Sequence, residues 1–214
     1  MKESREYFAS VADGWDDLRE GYFSESVREK AISLSGARRG GLAADVGAGT
    51  GFMSEGLIKL GLRVILVDDS PEMLTRAKKK LGPNAGAEFR LGSAEKIPVD
   101  SDSVDCVFAN MLLHHAESPD LVVREMSRIL KPGGKAVVTD LDEHDALFLR
   151  TEHHDRWMGF SREGVRAWLG QAGLEYVSVD GLDENCCTTS GSGEKAEFNI
   201  FAAVGKKPIH KTIK

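Results

Sequence analysis

The chain has 214 residues, with 28 Lys and Arg against 34 Asp and Glu, a formal net charge of −6. That length holds one domain with a full core, and 41% hydrophobic with 29% charged residues is a globular composition. Net acidity argues against the basic face that sequence-independent nucleic-acid binding needs, and three cysteines are too few for a disulfide scaffold. No apolar run approaches the ~18 residues of a membrane helix. The polar start at residues 1–6 does not read as a secretory signal, so the expected location is the cytoplasm.

In chain order, the first 40 residues predict helix, with Tyr7, Phe8, Val11 and Trp15 on one apolar stripe. Strands are predicted at 42–46, 62–67, 87–91, 104–109, 135–139, 174–179 and 197–204, each short and β-rich. Helices are predicted between them. The one at 50–60 opens with a Thr cap, and that at 70–81 opens Ser-Pro-Glu and ends in three lysines. Two more fall at 119–130, before Pro132, and at 161–172, before Gly173. Alternating strands and helices predict a parallel sheet with helices on both faces. Residues 180–195, rich in Gly, Ser and Thr, lack a helix, so the last strand is expected to return antiparallel. There is no repeat or low-complexity linker. A single domain is expected, divided into a helical cover (1–40), a cofactor-binding half (41–140), a substrate-side half (141–205) and a tail (206–214).

The 23 glycines exceed the roughly 15 that an average chain of this length carries, and eight of them lie between Gly36 and Gly61. Three fall in Asp45-Val46-Gly47-Ala48-Gly49-Thr50-Gly51, between a predicted strand and helix. Glycines there allow a tight turn and let a ligand touch the backbone, while the following helix offers free N–H groups. A dinucleotide loop would place its third glycine at position 52, which is Phe. A nicotinamide oxidoreductase is therefore disfavoured. The carboxylate of Asp45 would repel a pyrophosphate but attract the ammonium of a methionyl group. Asp68, 21 residues after Gly47, ends the next predicted strand, where a carboxylate suits ribose hydroxyls.

Five segments in this order resemble the class I S-adenosylmethionine-dependent methyltransferases, in the group with ubiquinone/menaquinone-type and arsenite methyltransferases. They are 45–51, Val67-Asp68-Asp69-Ser70-Pro71-Glu72-Met73-Leu74, 91–98, 104–119, and Glu125-Met126-Ser127-Arg128-Ile129-Leu130-Lys131-Pro132-Gly133-Gly134. The resemblance covers about residues 40–205. It implies an α/β, Rossmann-like seven-stranded sheet of order 3-2-1-4-5-7-6 with the last strand antiparallel. The cofactor would be S-adenosyl-L-methionine and the acceptor a small molecule, with no nucleic-acid or membrane partner. By the same resemblance Asp45, Gly47, Ala48 and Gly49 would line the methionyl and ribose portion, and Asp68 and Asp69 the ribose. Met73, Ser93 and Ala94 would lie at the adenine, and Asn110 would face the sulfonium. Ser93 departs from the family's usual Asp, and Glu95 is placed to contribute instead. A cofactor-binding module without catalysis is the rival that this departure leaves open.

Methyl transfer from a sulfonium needs an acceptor held in line, water excluded and, for some acceptors, a proton removed. His114 and His115 follow Asn110 closely, and either can serve as base or shape the site. The segment 140–160 gathers His144, Arg150, Glu152, His153, His154, Asp155 and Arg156, and resembles methyltransferases associated with arsenic-responsive regulators. On that match His144, Arg150 and His153 are substrate-side candidates, beside His115. The spacings include no HExxH or paired CxxC, so no metal site is expected. Cys186 and Cys187, expected in a loop, suggest a metalloid acceptor as an alternative, since thiolates favour soft ions. Tyr7, Trp15 and Arg19 are candidate residues of the helical cover.

Overall fold

The computed structural model describes residues 2–83 and 86–209, with side chains from Glu6 onward; Met1 and positions 210–214 of the expected tail lie outside the described residues. Three helices, α1 (Lys2–Val11), α2 (Trp15–Tyr22) and α3 (Glu25–Ser35), precede the sheet. The chain then runs β1 (Leu42–Val46), α4 (Phe52–Lys59), β2 (Arg63–Asp68), α5 (Pro71–Leu81), β3 (Ala87–Leu91) and β4 (Val104–Asn110). It continues with α6 (Pro119–Ile129), β5 (Leu130–Leu141), α7 (Phe148–Glu152), α8 (Arg162–Gln171), β6 (Glu175–Thr189) and β7 (Lys195–Lys206). The sheet order is β3-β2-β1-β4-β5-β7-β6, as expected. Strands β1 to β5 pair in parallel, and β7 is antiparallel to both neighbours. Among the described residues no helix is long and apolar enough to cross a membrane.

Strand periodicity divides the core. Val64 and Leu66 of β2 join Cys106 and Phe108 of β4 on one face, against Val27 and Ala31 of α3, Met53 and Leu57 of α4, and Leu74 and Ala77 of α5. Ile65 and Val67 join Val107 and Ala109 on the other, against Val122 and Met126 of α6 and Val165 and Leu169 of α8. Alternate residues point to opposite sides of a strand, so both faces are apolar where both carry helices. Each fully buried aliphatic side chain contributes roughly 1.5–3 kcal/mol.

Ser70 and Ser161 cap α5 and α8, their hydroxyls accepting from the N–H of Met73 and of Gly164. Thr50 does not cap α4. Its helix starts after Gly51, whose φ of +88° is left-handed, and the Thr50 hydroxyl donates elsewhere. The larger difference is in β6, which runs to Thr189 instead of ending near 179. Residues 180–189 pair with β7 as the far half of a hairpin, past register shifts between Gly181 and Asn185. Leu182 and Cys186 are buried while their neighbours are not. A ribbon with one solvated face tolerates the polar composition that reads as loop. Cys186 and Cys187 therefore occupy a strand and face opposite sides, one buried and one exposed.

Candidate active site

The carboxyl ends of the parallel strands meet at one edge. Val46 pairs with Val67 and Ala109, and Asn110 pairs with Thr139, so the loops after β1, β2, β4 and β5 leave at one level. The order of strands reverses between β1 and β4, the position where open α/β sheets bind ligands. A single cavity lies there, roofed by α1 and α2 and walled at its far end by the β6–β7 hairpin.

The glycine loop forms its floor. Gly47 and Ala48 both donate their N–H to the Val67 carbonyl, at 2.8 and 3.1 Å, which folds the loop tightly over β2. Gly47 has φ +66°, and a Cβ there would come within 2.5 Å of the Leu112 side chain. Gly49 donates its N–H to Asp68 Oδ2 at 2.8 Å, and Ser70 donates its N–H to Asp68 Oδ1 at 2.9 Å. Burial pushes Asp68 up to about 6 despite those two donors, helped by Asp69 and Asp45 nearby.

Gly47, Ala48, Gly49, Asp68, Asp69, Met73, Ser93, Ala94 and Asn110 all line the cavity. Asp45 does not. It is 1% exposed, and its carboxylate accepts both the N–H and the hydroxyl of Ser54 in α4, at 3.0 and 2.6 Å. It shapes the loop by holding the start of α4, and burial raises its pKa to about 6. The Ser93 hydroxyl donates to Glu95 Oε2, whose partner oxygen accepts from the N–H groups of Glu117 and Ser118. Glu95 thus braces the cavity wall between two loops.

Phe52, in the place of a third glycine, is buried under two cations: the guanidinium of Arg19 lies 4.4 Å from its ring centroid and that of Arg28 4.8 Å. Arg19 is 4% exposed and lines the cavity, and its Nε has no hydrogen-bond partner.

At the far end stand Tyr7, Phe8, Tyr22, Leu141, Leu149 and Phe198, with His114, His115, His153, Asp155, Cys186 and Thr188 among them. His114 Nδ1 lies 2.6 Å from Asp140 Oδ1, and Asp140 also accepts from the N–H of Leu113 and of Leu141. Burial opposes charge on His114, but Asp140 and then Asp155 outweigh it and hold the ring at about 9. Burial and the neighbouring His114 instead hold His115 well below 6.5. The Tyr22 hydroxyl lies 3.4 Å from His153 Nδ1, and burial pushes that phenol up to about 12.

The other two substrate-side candidates are not brought in. His144 stacks on Phe198 at 4.0 Å but does not line the cavity, and Arg150 is exposed outside it. The metalloid alternative also fails. Adjacent strand residues cannot turn both sulfurs to one ion, and only Cys186 faces the cavity. Sequence reasoning named Asp155 within 140–160 without giving it a role. It missed the Asp140 pairing and the hairpin residues Thr188 and Phe198. The first is implied by β4 and β5 ending together; the others carry no local signal.

This sheet order, with an antiparallel β7 and a glycine loop opposite a strand-end Asp68, is the fold of the class I methyltransferases. Residues 44–138 match the family described as methyltransferase domain. The chain is 28% identical over 196 residues to a ubiquinone biosynthesis O-methyltransferase of Xanthomonas axonopodis pv. citri, covering 82% of this chain and 81% of that one. It is 31% identical to a chloroplastic 2-methyl-6-phytyl-1,4-hydroquinone methyltransferase of Oryza sativa subsp. japonica, over 76% of this chain and 50% of the relative. A putative methyltransferase solved with the Haloferax volcanii Trm112 methyltransferase activator superposes with a TM-score of 0.78 at 21% identity, over 96% of this chain and 98% of that chain. The match over residues 44–138 and these relatives support a class I S-adenosylmethionine-dependent methyltransferase.

Proposed function

We propose that the protein transfers the methyl group of S-adenosylmethionine to a hydroxyl of a small aromatic acceptor such as a phenol or hydroquinone. One observation carries this reading: a single cavity joins the glycine loop and Asp68 to an end lined by Tyr7, Tyr22, Leu149 and Phe198, with His115 and His153 among them. A flat apolar ring suits those walls, and an imidazole suits an ionisable hydroxyl. The names of the quinone-pathway relatives support the same acceptor class.

In this reading the adenine rests against Met73, Ser93 and Ala94, and the ribose hydroxyls donate to Asp68, with Asp69 beside it. The methionyl group follows Gly47, Ala48 and Gly49, and the sulfonium faces Asn110. Arg19, cationic, buried and with an unpartnered Nε, suits the methionyl carboxylate. His153, held by Tyr22, orients the acceptor hydroxyl and takes its proton as the oxygen attacks the methyl carbon. Asp45, His144 and Arg150 have no part in transfer.

The test measures S-adenosylhomocysteine release with di- and trihydroxybenzoates, short-chain hydroquinones, phosphoethanolamine and glycine. Turnover is expected with the hydroxylated rings. Turnover with an amine and none with the rings would overturn the acceptor assignment.

A further inference from the structure

The acceptor end holds a group of side chains that methyl transfer alone does not require. One ring nitrogen each from His114 and His115 and a carboxylate oxygen of Asp155 lie within 4.8 Å of one another. All three residues line the cavity, and all three are mostly buried. The segments that carry them are far apart in sequence, so the fold holds them together deliberately. The N–H groups of Arg156 and Trp157 both donate to the His114 carbonyl, at 2.9 and 3.1 Å, and the Asp155 N–H donates to the Leu149 carbonyl. His154, just before Asp155, has φ +60°, the left-handed turn that returns the chain toward His114.

The nitrogens are also presented as metal ligands present them. A ligating histidine ties its other ring nitrogen to a carboxylate or a backbone carbonyl, which fixes tautomer and orientation. His114 Nδ1 lies 2.6 Å from Asp140 Oδ1, so Nε2 is the ring nitrogen left for an ion, which would displace the proton that Nε2 carries in the charged ring. His115 has a backbone hydrogen bond to His154, while its buried Nδ1 has no hydrogen-bond partner and lies 3.6 Å from Asp155 Oδ1. Two imidazoles and one carboxylate form a donor set for zinc or another divalent first-row ion, with further positions left for an outside ligand.

We propose that His114, His115 and Asp155 form a site for one divalent transition-metal ion, with its open positions facing the acceptor end of the cavity. There the ion would bind an acceptor oxygen and ease loss of its proton. This last role rests on the methyltransferase reading, whereas the metal site does not. It assigns His115 to ligation and leaves His153 to the acceptor's proton.

The test titrates zinc alone into the metal-stripped protein by calorimetry, and records the visible spectrum of the cobalt-loaded protein. S-adenosylmethionine binding is measured on the same samples. The expected result is one equivalent of zinc and a cobalt spectrum of low-symmetry nitrogen and oxygen ligation. His115→Gln and Asp155→Asn, both close in size to the native residue, should each remove the one-equivalent binding while cofactor binding persists. Absence of stoichiometric zinc binding in a protein that binds the cofactor would overturn the proposal. So would zinc binding that neither variant changes. Loss of cofactor binding in the unaltered protein would overturn the methyltransferase reading and leave the zinc result to stand on its own.

Discussion

Thr50, in the glycine loop, donates its hydroxyl to Asp16 Oδ1 of α2 at 2.7 Å, and Lys80 of α5 reaches the same oxygen at 3.0 Å. One carboxylate thus joins the helical roof, the loop beneath it and the helix after β2. Removing its charge should loosen the roof over the cofactor. Asp16→Asn is expected to weaken S-adenosylmethionine binding about 5- to 10-fold, near 1 kcal/mol, because the group is partly exposed. Amide exchange over residues 15–22 should rise in the same variant. An unchanged Kd would mean that α2 closes independently of this contact.

Asp68 predicts a pH dependence of cofactor binding. Its carboxyl titrates near 6 in the free protein, raised by burial above the usual 3.8. Ribose hydroxyls donate to the charged form, so binding lowers that pKa, and affinity should fall as pH drops through about 6. Calorimetry from pH 5 to 8 checks this. Asp68→Asn should bind about 10-fold more weakly at pH 7 and lose most of the slope.

Gly47 cannot carry a side chain without cost. At φ +66° an alanine is strained, and its Cβ would collide with Leu112. Gly47→Ala should destabilise the fold by about 1–3 kcal/mol and reduce cofactor affinity at least about 10-fold. Urea unfolding and cofactor titration separate the two effects. Gly40→Ala is the control, since it shares a positive φ but has open space around it.

Asp140 is fully buried and gathers His114, the Leu113 N–H and the Leu141 N–H. Breaking a buried charged pair on one side leaves the other uncompensated. Asp140→Asn is expected to cost roughly 3–5 kcal/mol of stability, read as a lower urea midpoint with unchanged slope.

Much of the sheet was legible because β1, β2 and β5 carry short apolar runs that end at glycine or aspartate, and α5 and α8 open with Ser caps. The cofactor end was legible for a related reason: Gly47, Gly49 and Asp68 sit at strand ends, where local spacing fixes position. Asp45 misled because its charge suits a methionyl ammonium, while its place on the α4 face of β1 turns it toward Ser54. The acceptor end was harder to read. His114 meets Asp140 only through the register of β4 on β5, and Asp155 arrives by a left-handed turn at His154. The hairpin escaped because its buried positions, Leu182 and Cys186, are sparse among polar neighbours.

The antiparallel β7 sets an order of assembly. Strand β6 pairs only with β7, so it cannot join the sheet before the last strand has been synthesised. The floor of the cavity, from β1 to β5, is complete in the nascent chain well before that point. Residues 186–198, which wall the acceptor end, become part of the molecule last, when the final strand slots between its two neighbours. A chain halted near residue 180 would have the cofactor-side strands and lack the wall that meets the acceptor.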